Sequence, residues 1–210
     1  MRRHSRLTLL ASGLALATAC QRDAERTEDP RAADTSRPPS TATEACAPNG
    51  RVPVVTSGGI GVARVGAPLR EVRQSCRTRD TTFTLSEGMQ ETGAVIEFAG
   101  HRVLALTARD STISRLIVAD SVFRTERGLG VGNRVGQLRE AYGRLCGAVG
   151  EGTVAVWLAG LPNVSFGLDT RISDLPASGS RLSGDPSVIP DTARVMSLWV
   201  IGEGVPCGGS

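Results

Sequence analysis

The chain has 210 residues, and its 24 basic side chains are all arginine, set against 21 acids for a net charge of +3. Arg2, Arg3 and Arg6 precede any acid. Once they are set aside, 24 less 3 leaves 21 arginines against those 21 acids, so the excess is read as a targeting signal and not as the footprint of a nucleic-acid binder. Aromatics make up 3% of the residues, so any core must be built mainly from Val, Leu, Ile and Ala.

The first residues join the basic stretch MRRHSR to the uncharged apolar run LTLLASGLALATA, which ends at Cys20. A positive flank, an apolar segment and small residues before a cut are the layout of a secretory signal, here expected over 1–19. The run is shorter than the roughly 20 apolar residues needed to span a bilayer. Leu16-Ala17-Thr18-Ala19-Cys20 resembles a lipobox, with Ala17 where Leu is usual, and Ala17-Thr18-Ala19 would also serve as an ordinary signal-peptidase site. The cysteines favour lipid on Cys20, because Cys46, Cys76, Cys146 and Cys207 then remain as an even set suited to an oxidising compartment. Gln21 is not the Asp that often marks inner-membrane retention, so an outer-membrane address is expected. Residues 20–45, the lipidated cysteine and the polar, proline-containing stretch after it, form a disordered tether in this reading. Such a tether would reach on the order of 30 Å from the anchor.

The segment from 46 to 210 carries an internal similarity. GIGVARVGAPLREV at 59–72 and GLGVGNRVGQLREA at 128–141 share G-x-G-V, R-V-G and L-R-E, which predicts two similar halves, 46–125 and 126–210. In the first, Pro68 suits a first helical position and Leu69, Val72 and Cys76 form one stripe. In the second, Asn133 is the expected N-cap, followed by a stripe of Val135, Leu138, Tyr142 and Leu145. Both helices should therefore carry a cysteine near their ends. Four cysteines allow three pairings, and Cys46–Cys76 with Cys146–Cys207 is favoured because each bridge closes one half.

Strand character follows each helix. In the first half it covers Thr82–Leu85, Ala94–Phe98, Val103–Thr107 and Ile113–Val118, with a hairpin turn at Ala99-Gly100-His101-Arg102. In the second half it covers Thr153–Leu158, Val164–Leu168 and Val195–Ile201, with Val118–Thr125 bridging the halves. Short strands with close turns pair antiparallel, so the fold class is α+β, each half a short helix followed by an antiparallel meander. The Gly-, Pro- and Ser-rich stretch 169–193 is the longest connection, either a binding loop or an unselected insertion.

A glycine, a small or capping residue and a short helix with apolar i and i+3, followed by an antiparallel meander, resemble the repeat of beta-lactamase inhibitor protein. They are also similar to the single unit of SmpA/OmlA-type outer-membrane lipoproteins. The matching positions are Val65-Gly66-Ala67-Pro68-Leu69 with Val72, and Val131-Gly132-Asn133-Arg134-Val135 with Leu138, while the usual Gly-Met-Thr at the helix start is absent. The resemblance implies a noncatalytic envelope protein that presents a sheet surface to another macromolecule. It carries over no binding residues.

No catalytic, metal or cofactor site is expected. The glycine runs 58–66 and 128–136 lack the spacing and parallel context of a dinucleotide loop. Beyond the leader only His101 remains, expected at an exposed hairpin tip with no acid beside it, and the cysteines lack CxxC spacing. Glu87, Glu91, Glu97, Asp110 and Asp120 are the scattered acids from which a carboxylate pair would have to be drawn. The expected function is a lipid-anchored envelope binding or scaffold module. Its partners would be the membrane, through the lipid, and an envelope protein. The alternatives are a carboxylate hydrolase of the envelope or a purely structural lipoprotein.

Overall fold

Apolar side chains alternate with polar ones along most segments after residue 90, and that period of two builds the molecule. The computed structural model describes residues 46–84, 88–150, 153–175 and 186–202. The leader, Cys20, the tether, Glu87, Cys207 and the middle of the 169–193 stretch lie outside those residues. A three-stranded meander opens the described chain, with β1 at Val55–Thr56, β2 at Gly59–Ile60 and β3 at Ala63–Arg64. Helix α1 (Leu69–Ser75) follows, then β4 (Arg77–Thr84), β5 (Gln90–Phe98), β6 (His101–Thr107) and β7 (Ile113–Val118). Helix α2 (Val135–Tyr142) precedes β8 (Leu145–Gly150), β9 (Thr153–Leu158), β10 (Leu161–Leu168) and β11 (Val195–Ile201).

Strands β4 to β11 form one antiparallel sheet in the order β4-β5-β6-β7-β11-β10-β9-β8. The protein is therefore α+β, with two helices among the described residues and a sheet-rich antiparallel body. None of its described helices is long and apolar enough to cross a membrane.

Each helix enters from a glycine with positive φ, Gly66 at 85° and Gly132 at 90°. This is a conformation open to glycine without a Cβ clash. The backbone bonds around the two are the same set. Gly66 N–H donates to the Ile113 carbonyl and Ala67 C=O accepts from Ile113, while Leu69 N–H reaches Ser111. Gly132 N–H donates to Val195, Asn133 C=O accepts from Val195, and Val135 N–H reaches Ala193. Isolated antiparallel bridges Pro68↔Thr112 and Arg134↔Arg194 complete each set.

One face of the sheet packs on the helices. Leu69 and Val72 of α1 and Val135 and Leu138 of α2 share a cluster with Ile96, Phe98, Val103, Leu116, Val156, Phe166, Leu198 and Val200, all buried. Cys46 and Cys76 are joined by a disulfide, Cα–Cα 4.9 Å, as the half-closing pairing expects. Cys146 is disulfide-bonded as well, its partner lying outside the described residues.

Several boundaries differ from the sequence reading. Cys76 is the residue that ends α1, not part of its stripe. Leu145 and Cys146 begin β8, because Gly143 at φ 74° stops α2 after Tyr142. The N-cap of α2 is Arg134. Asn133 stands one residue earlier, where its Oδ1 accepts from Arg124 at 2.7 Å and from Gly130 N–H at 2.9 Å. The β5–β6 turn is the pair Ala99-Gly100, both at positive φ, as a tight two-residue hairpin requires. His101 and Arg102 consequently belong to β6.

Candidate functional site

The face of the sheet turned away from the helices is where the structure departs from ordinary chemistry. An antiparallel sheet with one solvated face normally alternates apolar-in with polar-out. Here the inner positions are apolar as expected, but along one line across the sheet five of six outward positions are also large and apolar. The registers Val95↔Leu104, Leu104↔Ile117, Ile117↔Trp199, Trp199↔Ser165 and Ser165↔Trp157 place these residues directly opposite one another. They form a continuous row that runs Val95, Leu104, Ile117, Trp199, Ser165, Trp157 across six strands. Every member is half-buried, and none belongs to the helix-side cluster. Arg79, opposite Val95, and Cys146, opposite Trp157, end the row.

The two tryptophans are held differently. Trp199 donates its indole N–H to Ser197 Oγ at 2.9 Å, and the Arg115 guanidinium stacks over its ring at 5.3 Å. Trp157 Nε1 is buried without an acceptor. Beside it is a recess of about 100 Å3 lined by Ala155, Trp157, Asn163, Val164, Ser165 and Ile201. Leaving a buried donor unpaired costs about 1–3 kcal/mol, whereas a made hydrogen bond contributes about 1 kcal/mol. Trp157→Phe is therefore expected to leave the protein more stable than Trp199→Phe does, by about 1 kcal/mol in urea unfolding. Equal costs would mean that the Trp157 indole finds an acceptor.

The residues singled out by sequence for other chemistry fall elsewhere. His101 is not isolated: its Nδ1 meets Asp120 Oδ2 at 2.7 Å, and its ring sits edge-on to Phe123. Sequence distance hid this acid, which lies past the end of β7. The Val122 N–H and the His101 ring hold the Asp120 carboxyl below the usual carboxylate range. Asp110 is held low in the same way by the hydroxyl and N–H of Thr112. A general acid of a glycosidase pair needs the opposite shift. Glu91 and Glu97 share β5 and its outward face, but six residues of strand separate them by about 20 Å. Glu97 faces Arg77 at 3.8 Å. Among the described residues no three of His, Cys, Asp or Glu converge.

The glycine runs serve backbone geometry. A Cβ on Gly59 would collide with the Ala63 carbonyl, and one on Gly130 with the Phe123 carbonyl. The described ends of the 169–193 stretch pack toward the helix side. Leu175 and Ile189 are in the cluster, and Asp191 meets α2 through its carbonyl to Gly136 N–H and its carboxylate to Arg139.

An α+β protein with an aromatic-bearing sheet face that none of its described helices covers is the class that fold and site define. No family model matches the chain, and no curated protein matches it in sequence. Among solved structures it is similar to that of the uncharacterized protein yfeY from Escherichia coli. The identity is 20% and the TM-score 0.48, over 70% of this chain and 99% of that one.

Proposed function

We propose that the protein is a lipid-anchored binding module of the cell envelope, without catalytic activity, which holds another macromolecule on the open face of its sheet. The observation that carries this reading is the row Val95–Leu104–Ile117–Trp199–Trp157. Five large apolar side chains in cross-strand register on a face that none of the described helices covers favour burial against a partner. Tryptophan in particular anchors interfaces, giving large contact area with few rotatable bonds.

The same reading treats the chain as a duplication. Under it Gly66 corresponds to Gly132 and Ile113 to Val195, an equivalence supported by the matching hydrogen bonds. Ile117 and Trp199 then become equivalent residues that face each other where β7 meets β11. A pseudo-two-fold at that pair makes Val95, Leu104 and Ile117 the counterparts of Trp157, Ser165 and Trp199. Fusing two units in this way converts two short rows into one long one. The stretch 169–193 takes the place of the short β6–β7 turn, and its described ends pack on the helix side of the sheet.

Export, acylation on Cys20 and the outer-membrane address rest on the leader and on the even cysteine set. The intact mass of the processed protein before and after reduction tests them together. Loss of residues 1–19, a diacyl or triacyl increment and a gain of four hydrogens on reduction are expected. An unprocessed, unacylated chain would remove the anchor from the proposal. For the face itself, photo-crosslinking amino acids at Leu104 and Ile117 are expected to trap a discrete partner in the native host. The same groups at Arg70 and Glu140 on the helices should trap none. The reverse pattern would overturn the assignment of the face.

A further inference from the structure

The charges around the row are not balanced, and their placement names the chemistry of what docks there. On the outward face, Arg102 lies two residues before Leu104 on β6, and Arg115 two residues before Ile117 on β7. Because these strands run antiparallel, the two guanidinium groups flank the row on opposite sides, each about 7 Å along its strand. Arg79 closes the row at β4. Among the described residues none of the three has an acidic partner in an ion pair. The described acids on this face are Glu91 and Glu97; Glu97 lies opposite both Arg77 and Arg102, so one carboxylate serves two guanidinium groups and the four arginines of the face, Arg77, Arg79, Arg102 and Arg115, outnumber its two described acids. The half built from β9 to β11 is different: around Trp157 and Trp199 stand Ala155, Asn163, Ser165, Ser197 and Ile201, all uncharged.

We infer that the partner is an acidic protein segment, with an apolar side chain that seats in the recess between Trp157 and Ile201 and carboxylates that pair with Arg102 and Arg115. This rests on the open-face reading above and goes beyond it by fixing the partner's charge and the polarity of docking. A carboxylate–guanidinium pair is charge-assisted and often two-pronged, which suits arginine on a half-dry rim. The recess of about 100 Å3 is the size of one side chain, and a buried indole N–H without an acceptor lies in its wall. A single anchor in a fixed pocket favours a protein over an anionic lipid surface, whose headgroups present charge without such an anchor.

The test uses the full chain as bait for a displayed library of random peptides a dozen residues long, with selected peptides measured by fluorescence anisotropy. Peptides that combine an aromatic or branched aliphatic residue with at least two Asp or Glu are expected. Each should bind about tenfold more weakly to Arg102→Gln and to Arg115→Gln, both charge deletions at partly or fully solvated positions. Binding should fall steeply with salt. Peptides that require Trp157 and Trp199 but carry no excess of acids, or that ignore both arginine substitutions, would overturn the acidic partner and leave the open face standing. Peptides that bind Trp199→Ser as well as wild type would overturn the face and the inference together. If no peptide is recovered, the inference fails, and arginine-dependent binding to phosphatidylglycerol vesicles would then assign the face to a membrane surface.

Discussion

Replacing Cys46 and Cys76 together with alanine is expected to lower the unfolding free energy by about 3–4 kcal/mol. The bridge spans 30 residues of sequence and encloses the β1–β3 meander and the whole of α1. In the unfolded chain it removes the entropy of a loop of that length, which accounts for the magnitude. In the folded chain it joins Cys46 to the residue between α1 and the edge strand β4. Wild type in reductant should reproduce the double substitution, with both midpoints falling together in urea. Hydrogen exchange should then rise first in β4, which has a neighbour on one side only. A midpoint indifferent to reductant and to the substitutions would mean that the loop is held by packing alone. Since such bridges persist only in oxidising compartments, a large effect also fits the exported state proposed above.

Much of this architecture is legible in the residues, and what is not has identifiable causes. Ile113–Val118, Thr153–Leu158 and Val195–Ile201 coincide with β7, β9 and β11, because a buried strand flanked by turn residues leaves little freedom in where it begins. Strand β4 is longer than the expected Thr82–Leu85, since Arg77–Asp80 carries no alternation for pattern to detect. That absence is itself the mark of an edge strand, solvated on most of its surface. Strand β8 was hidden inside the stripe of α2, as Leu145 continues the apolar period past Gly143 and nothing local says that the chain has turned.

The open face is the clearest case of partial legibility. Ile117, Trp157 and Trp199 each fall within an expected strand, and their positions opposite to the buried parity could be read from alternation. That they align in one row depends on β7 pairing with β11, across 82 residues between Ile117 and Trp199. No local signal encodes such a pairing, which is fixed by both helices packing on the same side of one sheet. His101 and Asp120 illustrate the same limit at short range. Only after β6 and β7 are laid side by side, and the chain turned at Asp120, do the ring and the carboxylate meet.

Phe123→Ala is expected to cost about 3–5 kcal/mol, comparable to losing the disulfide, although Phe123 lies in neither a helix nor a strand. It is fully buried, edge-on to Phe98 at 6.4 Å and to His101 at 6.4 Å, in a chain where only 3% of residues are aromatic. With so few rings, the Val and Ala side chains around it have little volume with which to fill the gap, so the cavity term should be retained in full. The segment also links the elements around it: Val55 N–H donates to the Arg124 carbonyl and Tyr142 donates its hydroxyl to Thr125 at 2.7 Å. Phe123→Leu, which keeps most of the volume, should cost about 1–2 kcal/mol. The double substitution with Phe98→Ala should cost less than the sum of the two, because both rings line one cavity. A loss under about 1 kcal/mol for Phe123→Ala would mean that the surrounding strands close over the site. Because Phe123 packs on the helix side, a variant kept folded at low temperature should retain the arginine-dependent recognition expected of the opposite face, which separates the core's role from that of the surface it supports.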